Sequence, residues 1–250
     1  MGLFDYSPHD LTASLGEFLG TAYFIFFGVG GGVALTNNIV DPNAGVGLIA
    51  GPFAWGFSLV VNVWIWAPIS GGVLNPAITI ALMVVGHLSI IKGLLYIVAE
   101  FLGAFVGAYL ISLAQPPPDG GATVLAEGTS IMQGLLLELI ATSILTFTVL
   151  ILAIEKPNHT NAAIAIGWAL FISAIAIGPY TGGSLNPART FGPAIITGDF
   201  GDANWIYYIG PVLGALLAAG YLFLFKKLHY REEAKPEYEL PHMHESKSTS

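Results

Sequence analysis

The sequence predicts an all-α membrane protein: six transmembrane helices plus two re-entrant half-helices, arranged as an inverted 3+3 repeat. Three observations predict it. Of 250 residues, 54% are hydrophobic and only 10% charged, with a mean hydropathy of +0.72, whereas soluble domains carry about 25% charged residues. Six stretches reach the length of about 20 mostly apolar residues that a bilayer demands. And a twelve-residue phrase occurs twice without gaps, PISGGVLNPAIT from Pro68 and PYTGGSLNPART from Pro179.

The elements follow in order. After a cytosolic N-terminus (1–11), the first repeat covers 12–114, with spans at 12–35, 47–66 and 90–114. Between the last two lies an apolar piece, 76–86, too short to cross a bilayer. It begins at Pro76 just after Asn75, and Asn is a strong N-cap while Pro is tolerated in a first helical turn. An external loop (115–130) leads to the second repeat, 131–226, with spans at 131–154, 161–178 and 205–226 and a second short piece, 187–197, after Asn186. Residues 227–250 form a polar cytosolic tail, expected to be disordered. Non-helical backbone at membrane depth is tolerated only where it is buried or lines water, so two re-entrant pieces imply a cavity. Three spans per repeat is an odd number, so the second repeat is inverted and the half-helix N-termini meet at the midplane.

Basic residues set the orientation. With the N-terminus in the cytosol, seven of the eight Lys and Arg residues fall on cytosolic segments. The external loops 36–46, 115–130 and 198–204 have no Lys or Arg, and their charged residues are Asp41, Asp119, Glu127, Asp199 and Asp202. Asn158 begins a glycosylation sequon that this topology places on the cytosolic side, where it goes unused. The exception is Arg189, beside the second Asn-Pro-Ala. A membrane-embedded charge costs about 2.5–3.5 kcal/mol or more and marks a functional position.

The paired turns Asn75-Pro76-Ala77 and Asn186-Pro187-Ala188 carry the chemistry. Each opens a helix whose first amides are unpaired and whose dipole end is positive. Two such ends facing one another repel cations. Beyond capping, each asparagine amide keeps N–H donors to spare, and both can bind one water oxygen, turning its hydrogens outward and breaking a proton wire. Gly16/Gly20, Gly103/Gly107 and Gly210/Gly214 have the spacing that lets helices approach closely in lipid. Gly28-Val29-Gly30-Gly31 lies inside a span and reads as packing rather than nucleotide binding. With no cysteine, there is no disulfide or thiol chemistry. No metal-ligand cluster, phosphate loop or nucleophile elbow is present, so no catalytic residue, metal or cofactor is expected. Basic residues are too few for a nucleic-acid surface.

The motifs GGVLNPAIT and GGSLNPARTFGP, together with GEFLGT near the start, resemble those of the aquaporin (major intrinsic protein) family, most like its fungal members. The resemblance spans all but the termini. It implies a homotetramer with one pore per subunit in a lipid bilayer, passing water, with the plasma membrane the expected location. It also implies an aromatic/arginine filter, carried over by spacing to Trp55, Ala174, Gly183 and Arg189. Water-selective members usually have a histidine where Ala174 stands, and Ala174 implies a wider, less polar filter. Trp55 is similar to the glycerol-conducting branch, but that branch usually has Asp where Thr190 stands. Glycerol and hydrogen peroxide are therefore candidate solutes beside water. Glu17 and Glu138, in matching places of the two repeats, are implied to be buried braces for the re-entrant loops. Glu100 stands where the family more often has Gln, and has two readings, protonated or bonded to the first loop. His87 and His159 lie near cytosolic mouths. The rival readings are a proton-coupled transporter working through Glu17 and Glu138, and a non-conducting adhesion protein with a degenerate pore.

Overall fold

A computed structural model describes residues 6–37, 46–115, 121–155 and 159–228. Asp41, Asp119, Lys156, the Asn158 sequon, the side chain of His159 and the tail from Arg231 lie outside the described residues.

The described chain is helical throughout, joined by turns and loops. In order the helices are α1 (Pro8–Asn37), α2 (Val46–Trp66), α3 (Pro76–Val84), α4 (Ile90–Ala114), α5 (Ile131–Val149), α6 (His159–Thr181), α7 (Pro187–Thr197) and α8 (Ile206–Lys227). Six of them are long and apolar enough to cross a membrane, while α3 and α7 are the short pieces. Local signals set the starts. Ser89 accepts from the Lys92 amide to cap α4. Ser130 and Gln133 form a reciprocal capping box at α5.

Several boundaries differ from expectation, most by one or two residues. α1 spans Pro8–Asn37 rather than 12–35 and so takes in part of the stretch 1–11 expected as a terminus, its start tied by the Asp10 carboxylate, which accepts from the Ser7 amide at 2.8 Å. α3 stops at Val84 rather than 86, because Gly86 turns left-handed (φ +76°) and the Gly86 and His87 amides fold back on the Met83 and Leu82 carbonyls. α6 continues through Pro179 to Thr181, whose hydroxyl bonds back to the Ile177 carbonyl. The fourth span is not α-helical to its end: Leu150–Glu155 winds as a π-helix, closed off by an ion pair from Glu155 to Lys226 of α8 at 2.7 Å.

The two repeats pack by the same device. α1 lies against α4 and α5 against α8. A Cβ at Gly103 would stand 2.2 Å from the Phe18 carbonyl oxygen, and one at Gly214 2.2 Å from that of Leu139. Backbone therefore touches backbone at these crossings, as small residues permit in lipid. The pair Gly16/Gly20 serves the first re-entrant loop as well as a helix contact. A Cβ at Gly16 would meet Ser70 at 3.0 Å, and one at Gly20 would meet Leu74 at 2.6 Å. Gly16 thus makes room for the first re-entrant loop, and Gly20 for that loop and for Trp66 at the end of α2, 2.8 Å from such a Cβ.

Candidate functional site

The two half-helices meet end to end through their caps. Asn75 and Asn186 have nearly the same backbone, φ −155° with ψ 111° and 113°. Each side-chain oxygen caps its own helix: Asn75 Oδ1 accepts from the Ala77 amide at 3.0 Å, and Asn186 Oδ1 from Ala188 at 2.9 Å and Arg189 at 3.3 Å. Each side-chain nitrogen then crosses to the other repeat. Asn75 Nδ2 donates to the Leu185 carbonyl at 2.8 Å, and Asn186 Nδ2 to the Leu74 carbonyl at 2.7 Å. Of the two hydrogens on each amide nitrogen, one is thus committed. The spare donors inferred from sequence reduce to one per asparagine.

The residues before the asparagines are strained to reach this arrangement. Leu74 and Leu185 both have φ +54° and are the positive-φ residues other than glycine among those described. A left-handed non-glycine residue costs about 1–2 kcal/mol. Buried carboxylates hold the loops in place. Glu17 accepts from the amides of Val73 (3.1 Å) and Leu74 (2.7 Å). Glu138 accepts from those of Ser184 (2.9 Å) and Leu185 (2.8 Å) and from the Thr181 hydroxyl (2.8 Å). Glu100, left with two readings by the sequence, bonds to the first loop: its Oε1 accepts from the Asn75 amide and the Thr79 hydroxyl. None of the three carboxylates lines the cavity described next.

That cavity, of about 280 Å³, runs between the repeats past both asparagines. Its wall is largely apolar, with Phe24, Leu59, Val63, Leu145 and Ile166 among its residues, and one polar stripe made by loop residues 70–75 and 183–186. In a planar trans peptide the N–H of one residue points opposite the C=O of the residue before it. Because the Val73, Leu74, Ser184 and Leu185 amides point into the carboxylates, the carbonyls of Gly72, Val73, Gly183 and Ser184 point the other way, toward the lumen. The stripe thus presents acceptors, then the two asparagine donors at the midpoint, then acceptors again.

Toward one end the cavity brings together Trp55, Ala174, Gly183 and Arg189. The Arg189 guanidinium lies 4.5 Å from the Trp55 ring centroid, a cation–π contact. Its Nη1 donates to the Gly121 carbonyl and its Nη2 to that of Gly182 at 3.4 Å. Gly183 and Ala174 sit side by side, and a Cβ on Gly183 would come 3.9 Å from the Ala174 Cβ. Of these two residues, Ala174 brings one methyl to the cavity and Gly183 no side chain.

Sequence reasoning missed three residues that shape this ring. Phe24 packs edge-on against Trp55, centroids 5.2 Å apart. Gly28, read only as packing, is where the Trp55 ring rests: a Cβ there would stand 2.3 Å from it. Gly121, in the loop between α4 and α5, supplies the carbonyl under Arg189. The GVGG run hinted at Gly28, whereas nothing local pointed to the other two.

At the other end the cavity reaches His87 and Leu88, just past α3. Loss of hydration and, secondly, the Lys92 cation hold the His87 imidazole below its ordinary value of 6.5. The folded state therefore favours neutral His87. Since the unfolded chain binds that proton more readily below pH 6.5, His87 destabilises the fold as pH falls through that value. Thermal unfolding in detergent at pH 7.5 and 5.5 checks this: the wild type loses more stability on acidification than His87→Gln.

A family model described as "Major intrinsic protein" matches residues 6–222. The chain is 54% identical over 222 residues to "Aquaporin-1" of Rhizophagus irregularis, covering 88% of this chain and 79% of that protein. It is 42% identical over 233 residues to "Aquaporin-7" of Botryotinia fuckeliana, covering 90% of this chain but only 51% of that longer protein. Among solved structures, that titled "X-ray structure of the aquaglyceroporin from Plasmodium falciparum" superposes with a TM-score of 0.75 at 23% identity, over 85% of this chain and 95% of that one. At that identity the likeness speaks for the fold.

Proposed function

Because the chain belongs to the major intrinsic protein family, we propose that it is a passive transmembrane water channel that excludes ions and protons. It is an integral multi-pass membrane channel protein, not an enzyme. The observation that carries the water reading is the crossed pair of asparagines on the cavity wall. Each has one Nδ2 hydrogen left, and the flanking carbonyls accept. A water at the midpoint gives its oxygen to the asparagines and its hydrogens outward, so neighbouring waters on either side are oriented in opposite senses and protons cannot hop through. The two helix N-termini and Arg189 make the same stretch positive, which repels cations. Glu17, Glu138 and Glu100 are engaged by loop amides away from the lumen, which argues against the proton-coupled transporter. The cavity past both asparagines argues against a degenerate pore. Lys92 at the start of α4 and Lys226 and Lys227 at the end of α8 support cytosolic termini. A homotetramer in the plasma membrane completes the proposal, and native mass spectrometry reads the subunit number.

The test is stopped-flow light scattering of reconstituted vesicles under a sucrose step. Shrinkage well above that of empty vesicles, with a low activation energy, supports the channel, and no acceleration refutes it.

A second reading, passage of small uncharged solutes such as glycerol or hydrogen peroxide, is favoured by the gap beside Ala174 and Gly183. A polyol needs polar partners along one edge, here Arg189 and the loop carbonyls, and an apolar wall for its carbons, here Trp55 and Ala174. Ala174→His fills the gap with an imidazole. Glycerol passage in that variant falls while water passage persists, and an unchanged glycerol rate would refute the filter assignment.

A further inference from the structure

The loop between α4 and α5 is bound at three points to the helices flanking the second re-entrant loop, the end of α6 and the first turn of α7. The Gly121 carbonyl accepts from Arg189, the Ala126 amide donates to the Tyr180 carbonyl at 2.9 Å, and the Thr123 hydroxyl lies 2.7 Å from that of Thr190. The third contact is the start of a chain. Thr190 Oγ1 is in turn 2.7 Å from Ser184 Oγ, which donates to the Asn186 carbonyl at 2.9 Å. All three hydroxyl residues are buried, Thr123 at 3%, Thr190 at 0% and Ser184 at 2% exposure.

A hydroxyl has one hydrogen, and this determines the direction of every link. Ser184 spends its hydrogen on the Asn186 carbonyl, so it accepts from Thr190. Thr190 has then spent its own, so it accepts from Thr123. The chain therefore runs one way, from Thr123 through Thr190 and Ser184 to the carbonyl of Asn186. It joins a loop outside the two repeats to the cap of α7, the helix whose first turn carries Arg189. We propose that Thr123 is a positioning residue for the filter: through Thr190 it holds the first turn of α7, and with it Arg189, at the depth that sets the ratio of glycerol to water passage. This rests on the filter reading of Trp55, Ala174, Gly183 and Arg189. Thr190 has no isolated role in this picture; its hydroxyl relays.

The experiment compares glycerol and water permeability in vesicles carrying wild type, Thr123→Val, Thr123→Ser, Thr190→Val and the Thr123→Val/Thr190→Val pair. Thr123→Val keeps the shape and removes the donor. It is expected to raise the glycerol-to-water ratio about three- to tenfold, the span that the net worth of one hydrogen bond allows. Thr123→Ser restores the wild-type ratio, which a purely space-filling role would not require. Thr190→Val repeats the effect, and the double variant goes no further than either single one, because both cut the same chain. An unchanged ratio in Thr123→Val overturns the proposal, as does a double variant whose effect is the product of the two. If Thr123→Val does not fold, Thr123→Ala is read by the same ratio, and loss of fold in both overturns it in favour of a structural hydroxyl. Ala174→His measured alongside separates the two levels. If that variant lowers glycerol passage while Thr123→Val changes nothing, only this inference falls; if it changes nothing, the filter reading falls and this inference with it.

Discussion

Replacing Glu138 by alanine prevents the folded channel from forming. The substitution removes the shared acceptor of two buried amides, those of Ser184 and Leu185, and one of the two acceptors near the Thr181 hydroxyl, which keeps the Ile177 carbonyl. Both amides point away from the lumen, so water there is not placed to take over. Each buried donor left unpaired costs about 1–3 kcal/mol, and the sum competes with the whole stability of a typical domain, about 5–15 kcal/mol. The loop also holds Leu185 at φ +54°, a conformation it leaves once its amide is released. The expected outcome is loss of the monodisperse species in size-exclusion chromatography in detergent, and loss of a cooperative thermal transition. Glu138→Gln is intermediate, because it keeps one oxygen acceptor and turns the other into an amide NH2 donor that faces an N–H. A Glu138→Ala protein as stable as wild type would show that the loop does not depend on this carboxylate.

Gly28→Ala closes the pore without unfolding the bundle. The new methyl would stand 2.3 Å from the Trp55 ring, which has to move. Arg189 lies over the ring at 4.5 Å and Phe24 edges it at 5.2 Å, so its free direction is into the cavity it lines. Water permeability is expected to drop to that of protein-free vesicles, with thermal stability changed far less. Adding Trp55→Leu relieves the collision and restores flow, a coupling that only contacting residues show. Undiminished flow in Gly28→Ala would mean that Trp55 finds another rotamer outside the lumen.

Much of the fold could be read from the sequence because the bilayer leaves few choices. The length of the apolar runs and the Asn-Pro starts gave α4 and α7 their observed ends. The π-helical turn at Leu150–Glu155 could not be read this way, since its residues are as apolar as an α-helical continuation and its ion pair to Lys226 is distant in sequence. The placement of Asn75 and Asn186 in one cavity followed from the duplication. What each amide hydrogen does there did not, because its partner is a backbone carbonyl of the opposite repeat, a group every residue owns. The same blindness covers Gly121: a carbonyl has no signature in the amino-acid alphabet. Glu100 lay between, conspicuous as a buried charge but legible only once Thr79 and the Asn75 amide were seen beside it.

The crossed bonds between Asn75 and Leu185 and between Asn186 and Leu74 also bear on how the chain matures. Each repeat, taken by itself, exposes one donor and one acceptor that only its counterpart satisfies. Neither is a finished object, and a nascent chain with only its first repeat inserted carries an unclosed seam. Docking of the second repeat is then the step at which the molecule commits, and a ribosome-bound intermediate halted before Asn186 should remain open to cleavage at its first re-entrant loop.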